Sequence, residues 1–282
     1  MSLSNTPVYL AHHGIKGQQW GKRNGPPYPL DAKDHSASEK KAGWKDSLNK
    51  TSRDSGSIRI VQNKDGSQTI PKGFRFNRVG KEQIDINQSG VLYVSHGKED
   101  AARYIKNLGP TTLGKLFGEY GTHLQRLSAK DDISVPSKQR LNQETASFLI
   151  SNKDAFKNLS DSIYSYAYND DGNITEEDLK TAYKDPKSDK ATRLSYAVSQ
   201  MLGNGSYSQI SKKYYRQLLN EGFDAIPDYA DVLTGTSKTA MIIINTDKIE
   251  FESSAAITKD MLKASKKLVK SFGKLPMSEI IR

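Results

Sequence analysis

Basic and hydroxyl side chains lie near the ends of two short strand-like segments. Residues 74–79 alternate apolar and polar positions and carry Arg75 and Arg78, while residues 91–95 form an apolar run that ends at Ser95. An arginine and a hydroxyl at neighbouring strand ends would suit a bound anion, because a guanidinium group binds phosphate through paired donors. The alternative is that both arginines face solvent on a half-buried strand and that Ser95 caps the following helix.

The surrounding pattern predicts an α+β fold in which short strands precede and follow a helical region. An Asn-Lys-Asp-Gly turn between two alternating runs indicates a β-hairpin, and apolar residues at helical intervals after position 141 indicate packed helices. We predict strands at residues 58–62, 67–70, 74–79, 91–95, 122–129, 223–226 and 240–245, and helices after Gly97, at 113–117, within 141–221 and at 257–272.

Residues 169–174 partly match a calcium-binding loop. The first ligand position would be Ala167, which cannot coordinate, and the last would be Asp178, which is shorter than the usual glutamate. We therefore predict an Asp-rich turn followed by a helix with Thr175 as its N-cap.

The composition indicates a basic protein. The 282 residues carry 42 Lys and Arg against 32 Asp and Glu, for a formal net charge of +10, which favours non-specific contact with polyanions such as DNA. The absence of cysteine excludes disulfides and thiolate chemistry. We expect no signal peptide and no membrane partner, because the start lacks an apolar h-region and the longest apolar run, residues 240–244, cannot cross a bilayer.

The first 56 residues form a segment of their own. Frequent glycines and prolines predict a largely irregular, flexible arm that docks to a partner. His12, His13 and His35 have no further ligand at metal spacing, so we predict no metal site. The stretch HHGIKGQQWGKRNGPPYPLD closely resembles an element of proteins from the head and tail gene region of phages of Gram-positive bacteria. This resemblance implies a phage protein with capsid or portal proteins as partners.

The residues IPKGFRFNRVG and VLYVSHGKEDAARYIK resemble the first two strands of the ADP-ribosyltransferase fold. In that family an arginine at the end of one strand holds the phosphates of NAD, and a serine on the next strand shapes the nicotinamide pocket. The resemblance implies that Arg78 takes the arginine role, that Ser95 takes the serine role and that Tyr93 lines the pocket. Asn77 departs from the pattern, since an aromatic residue usually precedes the arginine.

The segment GFDAI, an acidic turn and the strand AMIIIN are also similar to phage-encoded relatives of the ADP-ribosyltransferases. Active members carry a glutamate just before this strand, which stabilises the oxocarbenium-like transition state as nicotinamide leaves. Residues 236–239 contain a lysine and no carboxylate, and a lysine would oppose the developing positive charge. Asp228 and Asp231 are the nearest replacements for the catalytic acid; alternatively they form a solvated acidic turn.

We thus predict an ADP-ribosyltransferase-like mixed-sheet core at residues 57–252, with its helical part at 141–221. The flexible arm at 1–56 precedes it, and a basic amphipathic helix within 253–282 follows. The first hypothesis is a phage virion- or morphogenesis-associated protein that has lost the acid and acts as a structural or binding protein. The alternative is an active enzyme that transfers ADP-ribose from NAD to a host protein target. A general DNA-binding protein is the third. We expect the protein to be located in the virion or the host cytoplasm.

Overall fold

A computed structural model describes residues 58–84, 86–110, 121–233 and 236–272; the N-terminal arm and the helix predicted at 113–117 lie outside the described residues. Within these ranges the protein is a mixed α/β structure with nine strands and eight α-helices. The strands are β1 (Val61–Gln62), β2 (Gln68–Ile70), β3 (Arg75–Gly80), β4 (Leu92–Val94), β5 (His123–Ala129), β6 (Ile133–Val135), β7 (Ala225–Pro227), β8 (Met241–Ile243) and β9 (Ile249–Ala256). The helices are α1 (Lys98–Leu108), α2 (Lys138–Ser151), α3 (Lys153–Ser160), α4 (Glu176–Lys184), α5 (Asp189–Leu202), α6 (Ser208–Asn220), α7 (Tyr229–Leu233) and α8 (Lys259–Phe272).

The strands form three small sheets: sheet A has the order β1-β2-β6, sheet B the order β3-β5-β9 and sheet C the order β4-β8-β7. Every pairing between the described strands is antiparallel, so the prediction of a mixed sheet is wrong. A parallel pair needs a crossover that returns the chain to the same end of the sheet. Here the helices between β6 and β7 form a block of their own, and β7 and β8 then pair as antiparallel neighbours.

Sheets B and C meet at one residue pair. Asn77 of β3 and Ser95, just after β4, form an isolated antiparallel bridge. The Asn77 amide donates to the Ser95 carbonyl at 2.7 Å, and the Ser95 amide donates to the Asn77 carbonyl at 2.9 Å. The two strands singled out in the sequence are therefore neighbours.

Sheet C is covered on both faces. Val91 and Ile242 belong to a core shared with the helices α2 to α6, whereas Leu92 and Ile243 belong to a second core with residues of sheets A and B. Successive side chains of a strand point to opposite faces, which explains why neighbours such as Val91 and Leu92 enter different cores. The helices thus form a layer over sheet C, where the cavity described below is found.

Local sequence signals account for several element ends. Gly66 closes the predicted hairpin turn with a φ of +80°, a conformation in which a side chain would be strained. Thr175 begins α4 as predicted: its hydroxyl accepts from the Asp178 amide, and the Asp178 carboxylate accepts from the Thr175 amide.

The C-terminal helix and the strand before it close the described chain. Met261, Ser265 and Val269 are buried along α8, which packs against α1. The eight-residue strand β9 was not predicted, and it crosses the border that we drew at residues 252 and 253. The helix begins two residues later than we predicted, at Lys259.

Candidate functional site

A cavity of about 440 Å³ lies between the edges of sheets B and C and three helical segments. Its size is within the range of small-molecule sites, which is about 300–1,000 Å³. Strands β3 and β4, helix α1, the end of α5 and the segment at α7 all contribute to its walls. The lining residues are Asn77, Arg78, Val79, Tyr93, Val94, Tyr104, Leu108, Gly203, Asp228, Ala230 and Asp231. Four of the five predicted site residues are therefore brought together.

Asp228 is buried at the start of α7, with 4% of its surface exposed. Its Oδ1 accepts hydrogen bonds from the Ala230 amide at 3.1 Å and from the Asp231 amide at 3.4 Å, which caps the short helix. Burial, and then the nearby Asp231 carboxylate, raise the pKa of Asp228 to about 7. The alternative of a solvated acidic turn is wrong for this residue, because the helical layer and sheet C exclude water from it.

Asp231 is half-buried and accepts a short hydrogen bond from the hydroxyl of Tyr104 on α1. Burial raises the pKa of Asp231, and the bond from Tyr104 opposes that rise because it favours the charged carboxylate. Burial, and then the nearby Asp231 carboxylate, raise the pKa of the Tyr104 hydroxyl well above its usual range. The two acids therefore differ: Asp231 has a side-chain hydrogen-bond donor, whereas Asp228 is the acid whose protonation changes near neutral pH.

Tyr93 lies on the face of β4 that is turned towards the helical layer. It lines the cavity, as the resemblance implied, and it packs against the helical core. Burial and the Asp228 carboxyl raise the pKa of Tyr93 to about 12, so the hydroxyl stays neutral and can donate to a ligand. A flat ring beside two carboxylates suits a planar, cationic ligand group.

Arg78 lines the cavity, but its guanidinium is held to one side. Its Nη1 donates to the Oε1 of Gln125, the residue opposite it on β5, at 3.0 Å. Gln125 is fully buried and is itself fixed through its amide nitrogen to the carbonyls of Lys81 and Gln83, at 2.7 and 3.0 Å. Arg78 is on the same face of β3 as the buried Phe76, whereas Arg75 is on the other face, so the alternative in which both arginines face solvent together is wrong.

Ser95 is buried beside the cavity and does not line it. It is 1% exposed, and its Oγ has no hydrogen-bond partner among the described residues. The alternative role as helix cap is wrong, because Gly97 occupies the N-cap of α1 with a φ of +81°. Asn77, paired with Ser95, is also buried and does line the cavity, so the position that departs from the family pattern is itself part of the wall.

The turn before β8 is held by hydrogen bonds to Asp100, and its residues do not line the cavity. The buried Asp100 Oδ2 accepts from the Ser237 hydroxyl at 2.5 Å, from the amides of Lys238 and Thr239 at 3.0 and 2.8 Å, and lies 2.6 Å from the Thr239 hydroxyl. Lys238 is exposed and is not a lining residue of the cavity. Its ammonium group therefore does not contact a ligand held in the cavity.

Sequence reasoning missed Tyr104 and Gly203. Tyr104 follows the buried helical positions Ala101 and Ala102, and its place on the inner side of α1 could have indicated that its hydroxyl needs a partner. Gly203 ends α5 and carried no comparable signal. Two carboxylates of different acidity, two tyrosine hydroxyls and an arginine at one wall can bind a polar organic ligand and move a proton to or from it.

No protein-family model, curated protein or solved structure matches this chain. Among the described residues, no three His, Asp or Glu side chains are grouped closely enough to hold a metal ion. Within the same ranges no helix has the length and apolar character needed to span a membrane. The fold and the cavity thus define a mixed α/β protein with a small-molecule-sized site.

Proposed function

We propose that the cavity is an NAD site and that the protein is a phage virion- or morphogenesis-associated member of an ADP-ribosyltransferase-like class. The observation that carries this proposal is the meeting of Arg78, Tyr93, Asp228 and Asp231 around one cavity, because these residues lie up to 153 positions apart in the sequence. Arg78 would bind a phosphate, Tyr93 would contact the nicotinamide ring and Ser95 would support the wall beneath it. The N-terminal resemblance supports docking to a capsid or portal protein.

The two carboxylates suit N-glycosidic bond cleavage. As the bond between ribose C1′ and the nicotinamide nitrogen breaks, its electron pair stays on the nitrogen, and positive charge develops on the sugar. Ionised Asp231, oriented by Tyr104, would stabilise that charge. Asp228, whose pKa is about 7, would accept the proton that the attacking nucleophile loses when it bonds to C1′.

A second candidate is a binding protein without catalysis. It is favoured by the structural contacts that both acids already make: Asp228 caps α7 and Asp231 accepts from Tyr104. The turn at residues 236–239 also carries no carboxylate. In this case the cavity would bind NAD, or a related nucleotide, as a structural ligand, and the arm would provide the contact with the phage particle.

Isothermal titration of the full chain with NAD, with nicotinamide release followed in the same samples, separates these candidates. We expect Arg78→Ala to weaken NAD binding by about tenfold or more, since a charge-assisted hydrogen bond contributes about 1.5–3 kcal/mol. Arg75→Ala is the matched control, because Arg75 is on the same strand but pairs with Glu252 at 3.0 Å and does not line the cavity.

Nicotinamide release then distinguishes an enzyme from a binding protein. If Asp228 is the base, release falls about tenfold per pH unit below about pH 7, and Asp228→Asn abolishes this dependence together with most of the activity. NAD binding without release supports the second candidate. Equal binding by the Arg75 and Arg78 variants, or no binding by the natural chain, contradicts the NAD proposal.

A further inference from the structure

Helix α8 carries five lysines along its outer side: Lys259, Lys263, Lys266, Lys267 and Lys270. All five are exposed, and the structure shows no ion pair between them and any described residue. The helix contains one acidic residue, Asp260. We call this set the lysine stripe.

The lysine stripe is narrow and straight. At about 100° of rotation per residue, the five positions fall within an arc of about 100° on the helix surface. At about 1.5 Å per residue they extend over about 17 Å. The buried positions Met261, Ser265 and Val269 are centred on the other side and hold α8 against α1, so the stripe is fixed in a rigid element.

We propose that the lysine stripe binds the phosphate backbone of double-stranded DNA without reading its sequence. DNA carries one negative charge per about 1.7 Å of its axis, so about ten phosphates lie along a stripe of this length. Each lysine is a point charge on a flexible stem, which suits contact with phosphates at variable positions. This proposal is independent of the NAD site.

The composition of the stripe favours duplex DNA over other anionic partners. Single-stranded nucleic acids are bound through aromatic stacking platforms, and the stripe contains no aromatic residue. Protein–protein interfaces are depleted in lysine. Binding of an amphipathic helix to a membrane needs a free apolar face, and the apolar face of α8 is buried against the domain.

The test compares two full-length triple variants that lose the same charge. The stripe variant carries Lys263→Gln, Lys266→Gln and Lys270→Gln, and the control carries Lys212→Gln, Lys213→Gln and Arg216→Gln, which remove the exposed cations of α6. Glutamine and lysine have similar helix propensities, so both variants should fold, and circular dichroism checks this. Binding to a short fluorescein-labelled duplex is measured by anisotropy between about 50 and 200 mM salt.

We expect the natural chain and the α6 variant to bind the duplex with the same salt dependence. In the stripe variant, the slope of log affinity against log salt should be smaller by about two to three, since each lost phosphate contact removes about 0.9. Equal losses in the two variants would show that net charge alone drives binding and would overturn the proposal. So would a loss confined to the α6 variant, a preference of tenfold or more for one duplex sequence, or tighter binding to anionic lipid vesicles than to the duplex.

Discussion

Replacing Asp228 by asparagine should stabilise the protein relative to the natural chain, and this advantage should grow as the pH rises. The pKa of this carboxyl is raised from 3.8 to about 7 in the folded state, so between these pH values the folded protein keeps a proton that the unfolded chain has lost. Stability therefore falls as the pH rises through this interval, and the loss is complete above about pH 7. Asparagine has no charge to dehydrate, and its side-chain oxygen can still cap α7.

The magnitude follows from the size of the pKa change. At about 1.4 kcal/mol per pKa unit, the rise to about 7 corresponds to about 4 kcal/mol. We expect the difference in unfolding free energy between Asp228→Asn and the natural chain to be small at about pH 4 and to reach about 2–4 kcal/mol in favour of the variant at about pH 8. Because Asp231 contributes to the raised pKa of Asp228, Asp228→Asn should increase the unfolding free energy by a smaller amount when it is made in an Asp231→Asn background.

Urea unfolding of both proteins, followed by far-UV circular dichroism across this pH range, measures the difference directly. Asp154→Asn is the matched control, because Asp154 is an exposed residue in the first turn of α3 and should show no such trend. If the advantage of Asp228→Asn is the same at about pH 5 and about pH 8, the carboxyl is not dehydrated next to Asp231 and the assignment of two unlike acids fails.

Two further substitutions test the parts of the fold that hold the site. Asp224→Ala should lower the free energy of unfolding in urea by about 3 kcal/mol. The buried Asp224 carboxylate accepts from the Ser134 amide at 2.9 Å and from the Lys248 ammonium at 2.8 Å, and so connects β6 to the segment after β8. A loss below about 1 kcal/mol would contradict this role. Thr175→Ala should lower the free energy of unfolding by about 1 kcal/mol, because it removes the cap of α4. Thr175→Ser keeps the hydroxyl and should be about as stable as the natural chain in thermal or urea unfolding. Equal losses of stability in the two variants would refute a capping role.

Strong local signals made much of the fold predictable. The hairpin turn, the strands at 91–95 and 122–129 and the helical region all depend on periodicity and turn residues that act over short distances. Strand β9 lacked such a signal. Arg126 pairs with Ser253 and Leu127 pairs with Phe251, so Glu252 is an extra residue in the ladder, and this irregularity interrupts the alternation by which a strand is recognised.

The residues that line the cavity could be predicted more readily than the contacts between them. Tyr93, Asp228 and Asp231 could be chosen by residue type and neighbourhood, and they do line one cavity. The distinction between the two acids depends on Tyr104, a residue 127 positions before Asp231, and such a contact exists only once α1 has packed near α7. Likewise the direction of Arg78 depends on its partner Gln125, which the pairing of β3 with β5 brings opposite it.

Sheets B and C are joined in the described chain by two backbone hydrogen bonds, both between Asn77 and Ser95 at the edge of the cavity. Two hydrogen bonds contribute little beside a long strand ladder, so the contact between the sheets depends mainly on the core in which Phe76 of sheet B packs with Leu92 and Ile243 of sheet C. A ligand that touches both β3 and β4 would favour the states in which this pair is closed. The one hydrogen-bonded junction of the two sheets among the described residues therefore coincides with the place where a ligand would bind, and such a ligand would add its own contacts across that junction.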